Sequence, residues 1–131
     1  MKIATILPYK ENYTIAKAQA AAIWVCDFFK YSKFKDGNFI FGNTNSKDYL
    51  TKNYVNININ NLKSKFTSST KEYCNNFIKK TVNDNFDIIE IHNRPLVLNY
   101  LKKEIISKFI LYFHNDPLSM NGSKTANERL S

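Results

Sequence analysis

Two short segments of this 131-residue chain end alike. Phe86 to Ile91, FDIIEI, runs into His92 Asn93 Arg94 Pro95, and Phe109 to Phe113, FILYF, runs into His114 Asn115 Asp116 Pro117. Each joins an apolar run of strand length to an imidazole, a turn-forming amide, a charged group and a proline. In an open parallel sheet, ligands sit beyond the carboxyl ends of the strands, where the winding reverses. Two such exits on one sheet would bring both imidazoles to one rim, with the loop Pro8 to Thr14 as a third wall. Together the three loops offer Lys10, His92, Arg94, His114, Asn115, Asp116, Ser119, Ser123 and Lys124. Donors for hydroxyls and cations for phosphate suit a sugar or a phosphorylated ligand.

Each residue also has a plainer reading. A histidine at a strand end can simply hold a backbone carbonyl, although two at equivalent exits point further. Asn93 and Asn115 are common turn residues, because their side chains satisfy nearby backbone. Asp116 before Pro117 starts a turn equally well. Arg94 at a helix start is opposed by the helix dipole unless it faces an anion. The first strand is not followed by GxGxxG, and neither GxxxxGK[ST] nor GxSxG occurs, so a dinucleotide fingerprint, a P-loop and a nucleophile elbow are all missing. The two histidines and Asp116 come from separate loops without HxxxH spacing, so no metal or other cofactor is expected.

The elements that must position these residues read as alternating strands and helices. Lys2 to Leu7 is a buried first strand closed by Pro8. Thr14 is placed to cap a helix from Ile15 to about Tyr31, whose alanines Ala18, Ala20, Ala21 and Ala22 would let it lie close on a sheet. Asn38 to Phe41 reads as the second strand. Tyr54 to Asn60 alternates apolar residues with asparagine, as an edge strand does. Ser69 and Glu72 have capping-box spacing, followed by a stripe of Cys74, Ile78 and Val82. Phe86 to Ile91 is the fourth strand, and Arg94 and Pro95 open a helix that turns Leu98, Leu101 and Ile105 inward. The FILYF run predicts a fifth strand covered on both faces. This order implies an α/β fold, a Rossmann-like parallel sheet with helices on both faces, in one domain over residues 1 to 131.

The totals agree with one domain, since 44% apolar residues suffice for one core. The net charge of +8 permits nucleic acid, anionic lipid or a phosphate-bearing substrate as partner. The lysines are scattered among asparagines, which argues for compositional bias and against nucleic acid. Cys26 and Cys74 lack CxxC spacing and read as buried thiols in a reducing compartment. MKIATILP is too short an apolar run for a signal peptide. A cytoplasmic protein is expected, with peripheral contact at the inner face of a membrane still compatible. Near the carboxyl end, Thr125 and Glu128 again have capping-box spacing. A helix of under two turns is not stable alone, so the chain is expected to be cut from a longer protein.

At KIATILP with its alanine-rich helix, at DIIEIHNRP and at LYFHNDPLSMNGS, the sequence resembles the amino-terminal domain of the family 4 glycosyltransferases, which have the two-domain GT-B fold. That resemblance implies the acceptor-side half of a retaining, metal-independent sugar transferase. The nucleotide-sugar domain with its paired glutamates would be missing here, so the fragment alone would be inactive. A nucleotide-sugar donor and a glycan or lipid-linked acceptor are the implied partners. His114 matches the histidine that faces the donor sugar and is the implied catalytic residue. His92 matches that of the preceding strand exit, and Arg94 lies near the acceptor side. Tyr9 to Tyr13 occupies the place of a glycine-rich turn but contains no glycine. The alternative reading is a self-contained flavodoxin-like binding or regulatory module, which would expose no sizeable apolar patch around Leu118, Met120 and Leu130.

Overall fold

The computed structural model describes residues 1–59 and 68–130. Five strands, β1 (Ile3–Ile6), β2 (Asn38–Gly42), β3 (Tyr54–Asn56), β4 (Ile88–His92) and β5 (Lys108–Tyr112), form one sheet in the order β3-β2-β1-β4-β5. All four pairings are parallel. Helix α1 (Ala20–Tyr31) follows β1, α2 (Ser69–Lys80) precedes β4, α3 (Pro95–Glu104) links β4 to β5, and α4 (Ala126–Leu130) lies beyond. The fold is therefore Rossmann-like α/β. Its winding reverses between β1 and β4, because β1 leads outward to β2 and β4 leads outward to β5.

Strand alternation divides the interior into two cores. Ala4, Ile6, Phe41, Ile89 and Ile91 pack against Cys74 and Phe77 of α2 and Val97 and Leu101 of α3. On the opposite face Leu7, Ile40 and Tyr54 pack against Ala22, Val25 and Cys26 of α1. Cys26 and Cys74 are both buried and free, and burial pushes the Cys74 thiol up to about 12. No helix among the described residues is long and apolar enough to cross a membrane.

Several local expectations shift. Helix α1 starts at Ala20 rather than Ile15, and its buried alanines are Ala21 and Ala22. The backbone before it is used elsewhere: Ile15 N–H donates to Asp48 O, and Leu50 N–H donates to Tyr13 O. Those bonds tie residues 13–15 to the loop before β3 and compete with helix formation. The cap of α2 is Ser68, whose hydroxyl accepts from Lys71 N–H at 3.1 Å, so the cap lies one residue before the expected Ser69. Val82 falls beyond α2 and is exposed. β3 is an edge strand as its alternation implies, but it ends at Asn56, short of the expected Asn60, which lies outside the described residues.

β5 is not covered on both faces. It ends the sheet among the described residues, and Lys108 and Ile110 are exposed. Alternation still operates: Phe109 and Leu111 pack against the α2/α3 core, and the intervening side chains face the side on which α1 reaches only as far as Trp24. The Thr125–Glu128 capping box forms as read, with Glu128 N–H donating to Thr125 Oγ1 at 3.2 Å and Thr125 N–H donating to Glu128 Oε2 at 2.9 Å.

Candidate functional site

The β4 and β5 exits meet. His92 Nδ1 lies 2.9 Å from His114 Nε2, and the two rings stack at 5.2 Å between centroids. The register makes this possible, because His92 pairs with Tyr112 across the last rung of β4 and β5. Those two rings also stack, at 4.9 Å. Trp24, reaching over from α1, contacts His92, Tyr112 and His114 with centroid distances of 5.4 to 5.6 Å. His92 is thus fully buried while His114 keeps partial exposure. Burial lowers the His114 pKa from its ordinary 6.5, and positive charge on His92 would lower it further.

Asn93 redirects the chain. It adopts φ 58°, a left-handed conformation that asparagine tolerates better than most residues. Its N–H donates to Tyr112 O at 2.7 Å, and its Oδ1 accepts from His114 N–H at 3.1 Å. This turn sends Arg94 to the other side of the sheet from His92, where it becomes the N-cap of α3 with Pro95 in the first turn. There the β1 exit, the starts of α2 and α3 and the loop after β5 enclose a cleft of about 510 Å³. Lys10, Arg94 and Lys124 line it, with Asn115 and Ser119, and none of the described lining residues is acidic. Tyr9 lies under both Lys10 and Arg94, whose charged ends sit 5.6 and 5.7 Å from its ring centre. Arg94 Nε is buried without a hydrogen-bond partner. With two helix starts at the same mouth, the cleft favours an anion.

Comparison of the chain with protein-family models, with curated proteins and with solved structures finds no match. The chemistry of the site is what bears on function.

The predicted residues separate into three groups. Lys10, Arg94, Asn115 and Ser119 line the cleft together with Lys124. His92 and His114 form their own pair on the α1 side, linked to the cleft through Asn93 and Asn115, whose side chains approach at 3.4 Å. Asp116 and Ser123 shape the loop instead of facing the cleft. Asp116 Oδ1 accepts from Leu118 N–H at 2.9 Å, and the buried Ser123 hydroxyl donates to Pro117 O at 2.5 Å. No group of three metal-ligating side chains occurs among the described residues.

Beneath the histidines lies a polar row that the strand exits alone do not reveal. Thr5 Oγ1 donates to Asn38 Oδ1 at 2.9 Å and lies 3.2 Å from Glu90 Oε2. The same Glu90 oxygen is 3.9 Å from His92 Nε2. Asn38, Thr5, Glu90 and His92 come from three adjacent strands and are all buried. Glu90 also edges an apolar groove of about 660 Å³ beside α1, walled by Trp24, Phe28, Tyr31, Phe34 and Ile88. The signal was present in the spacing: Glu90 and His92 stand two apart on one strand and so share a face.

Proposed function

We propose that this chain is the acceptor-side, amino-terminal half of a retaining glycosyltransferase, which moves a sugar from a nucleotide-sugar donor to a glycan, lipid or other acceptor. The observation that carries the reading is the meeting of two imidazoles at the β4 and β5 exits, beside a three-cation cleft that reaches the β1 and β4 exits, where the sheet winding reverses. In this reading His114 hydrogen-bonds the transferred sugar, and Lys10, Arg94 and Lys124 hold a phosphate or other anionic group of the acceptor. Asn115 and Ser119 supply neutral hydrogen bonds to hydroxyls. His92 acts from behind His114, because its buried ring cannot reach a ligand. The nucleotide-sugar would be bound by a second domain of the kind the family resemblance implies. A cytoplasmic location, with peripheral membrane contact where the acceptor is a lipid, belongs to the same proposal.

Two measurements test the proposal. Titrating the chain with a hexose 1-phosphate should shift NMR signals of Lys10, Arg94, Asn115 and Lys124, with affinity falling steeply as salt rises. Arg94→Ala should weaken that binding about tenfold or more, the size of a lost charge-assisted hydrogen bond. Absence of site-specific shifts would remove the anionic acceptor. In a version joined to a nucleotide-sugar domain, His114→Ala should lower turnover by about 100-fold or more. An unchanged rate in a folded variant would remove His114 from the chemistry.

A further inference from the structure

We propose that Glu90 and His92 are positioning residues that fix His114 as its Nε2–H tautomer and leave its Nδ1 lone pair to accept a hydrogen bond from a substrate hydroxyl. The assignment of a hydroxyl ligand rests on the sugar-transfer reading; the tautomer itself does not. His92 Nδ1 and His114 Nε2 are 2.9 Å apart, so one nitrogen carries the proton and the other presents a lone pair. The fully buried ring of His92 has its other nitrogen, Nε2, without a hydrogen-bond partner and 3.9 Å from Glu90 Oε2. That gap is about 1 Å longer than a hydrogen bond, yet close enough for the carboxylate to decide where the His92 proton sits. A lone pair aimed at a carboxylate in a buried site is repelled, whereas an N–H is attracted. The proton therefore resides on His92 Nε2, and His92 Nδ1 becomes the acceptor.

His114 must then donate from Nε2, which leaves its Nδ1 unprotonated. No described residue hydrogen-bonds that atom, and the ring is partly exposed. Behind Glu90, Thr5 Oγ1 lies 3.2 Å from Glu90 Oε2 and 2.9 Å from Asn38 Oδ1, so its one proton is shared between the two acceptors. Glu11 is a second carboxyl within electrostatic range of His92, and its Oε2 accepts from Ala22 N–H at 3.0 Å. The row from Asn38 to His114 thus converts a buried charge into a fixed proton arrangement at the rim.

Long-range proton–nitrogen correlation NMR on the histidine-labelled chain at pH 7.5 tests this without any substrate. Both rings should show the Nε2–H pattern in the wild type. Glu90→Gln, which keeps the shape and removes the charge, should move the His92 and His114 nitrogen signals toward averaged tautomers, while Glu11→Gln should leave them in place. A wild-type His114 protonated on Nδ1 overturns the proposal even if Glu90→Gln does not fold. A pattern unmoved by Glu90→Gln, or moved instead by Glu11→Gln, overturns the role of Glu90. Sugar phosphate binding in the cation cleft is measured separately, so either idea can fail alone.

Discussion

Toward α2 and α3, strands β1, β2 and β4 present Ala4, Ile6, Phe41, Ile89 and Ile91; toward α1, the intervening positions present Thr5, Asn38, Glu90 and His92. The strands are the same and both sets are buried, but the physical demands differ. Apolar side chains on the first face need only fill volume, and Phe41 meets Phe77 edge-on at 5.0 Å. Polar groups on the second face must satisfy one another, because burying one without a partner is expensive. They do so only in part, as a row that ends at a partly exposed imidazole and leaves His92 Nε2 3.9 Å from Glu90 without a hydrogen bond. The α1 face therefore combines its own apolar core of Leu7, Ile40, Val25 and Cys26 with a proton arrangement carried to the rim.

The widest separation between the faces is in stability. Ile91→Ala should lower unfolding free energy by about 3 kcal/mol, as truncation of a fully buried aliphatic side chain commonly does. Glu90→Leu, one residue earlier, should stay within about 1 kcal/mol of the wild type. Replacing a buried charge with an apolar group of similar volume is often neutral, and Thr5 keeps its bond to Asn38. Urea unfolding of the two variants measures both. Comparable losses would mean that the polar row is part of what stabilises the fold, and the contrast between the faces would break.

A smaller effect is expected at the rim, where the cation cleft depends on a tight loop. Gly122 adopts φ +95°, and a Cβ there would stand 3.0 Å from Leu96 Cδ2 and 3.1 Å from Leu96 N. Gly122→Ala should therefore destabilise by about 1 to 3 kcal/mol. It should also weaken binding of hexose 1-phosphate, because Leu96 and Lys124 line the cleft on either side of that contact. Stability lost with binding unchanged would show that the loop closes the fold without shaping the cleft.

Much of this arrangement was legible from pattern. Apolar runs ending in His-Asn-x-Pro located the strand exits, and capping-box spacing located the last helix. Glycine and proline placed the turns. What pattern could not supply was which side of the sheet each exit residue takes. Arg94 follows His92 by two positions, which in a continuing strand would put both on one face. The left-handed turn at Asn93 sends them apart, so one expected mouth is a cleft and a histidine pair back to back. The start of α1 is not legible locally, because the competing bonds of residues 13–15 are made with a loop more than 30 positions later. Glu90 was hidden by its apolar neighbours; only the period of two, applied together with His92, singles it out. Strand coverage at β5 failed for a related reason, since an apolar run shows what could be buried and not what covers it.

The smallest expected effect is the one that distinguishes the two ends of the histidine pair. His114, which Trp24 contacts edge-on, has its pKa lowered by burial, so between that lowered value and 6.5 the unfolded chain binds a proton that the folded chain does not. Stability from this group is complete above pH 6.5 and is lost as pH falls through the folded pKa. Glu11 works in the opposite sense. Its pKa is raised from 4.5, mainly by burial, so its favourable contribution is present below 4.5 and fades as pH rises. Comparing wild type with His114→Gln cancels Glu11 and leaves the His114 slope, with the wild type losing more stability on acidification from pH 7.5 toward 5.5. Trp24→Ala uncovers His114 and should return its NMR titration midpoint toward 6.5. A midpoint unmoved by that change would assign the lowering to His92 instead, making the neighbouring imidazole rather than the aromatic cover the element that tunes the rim.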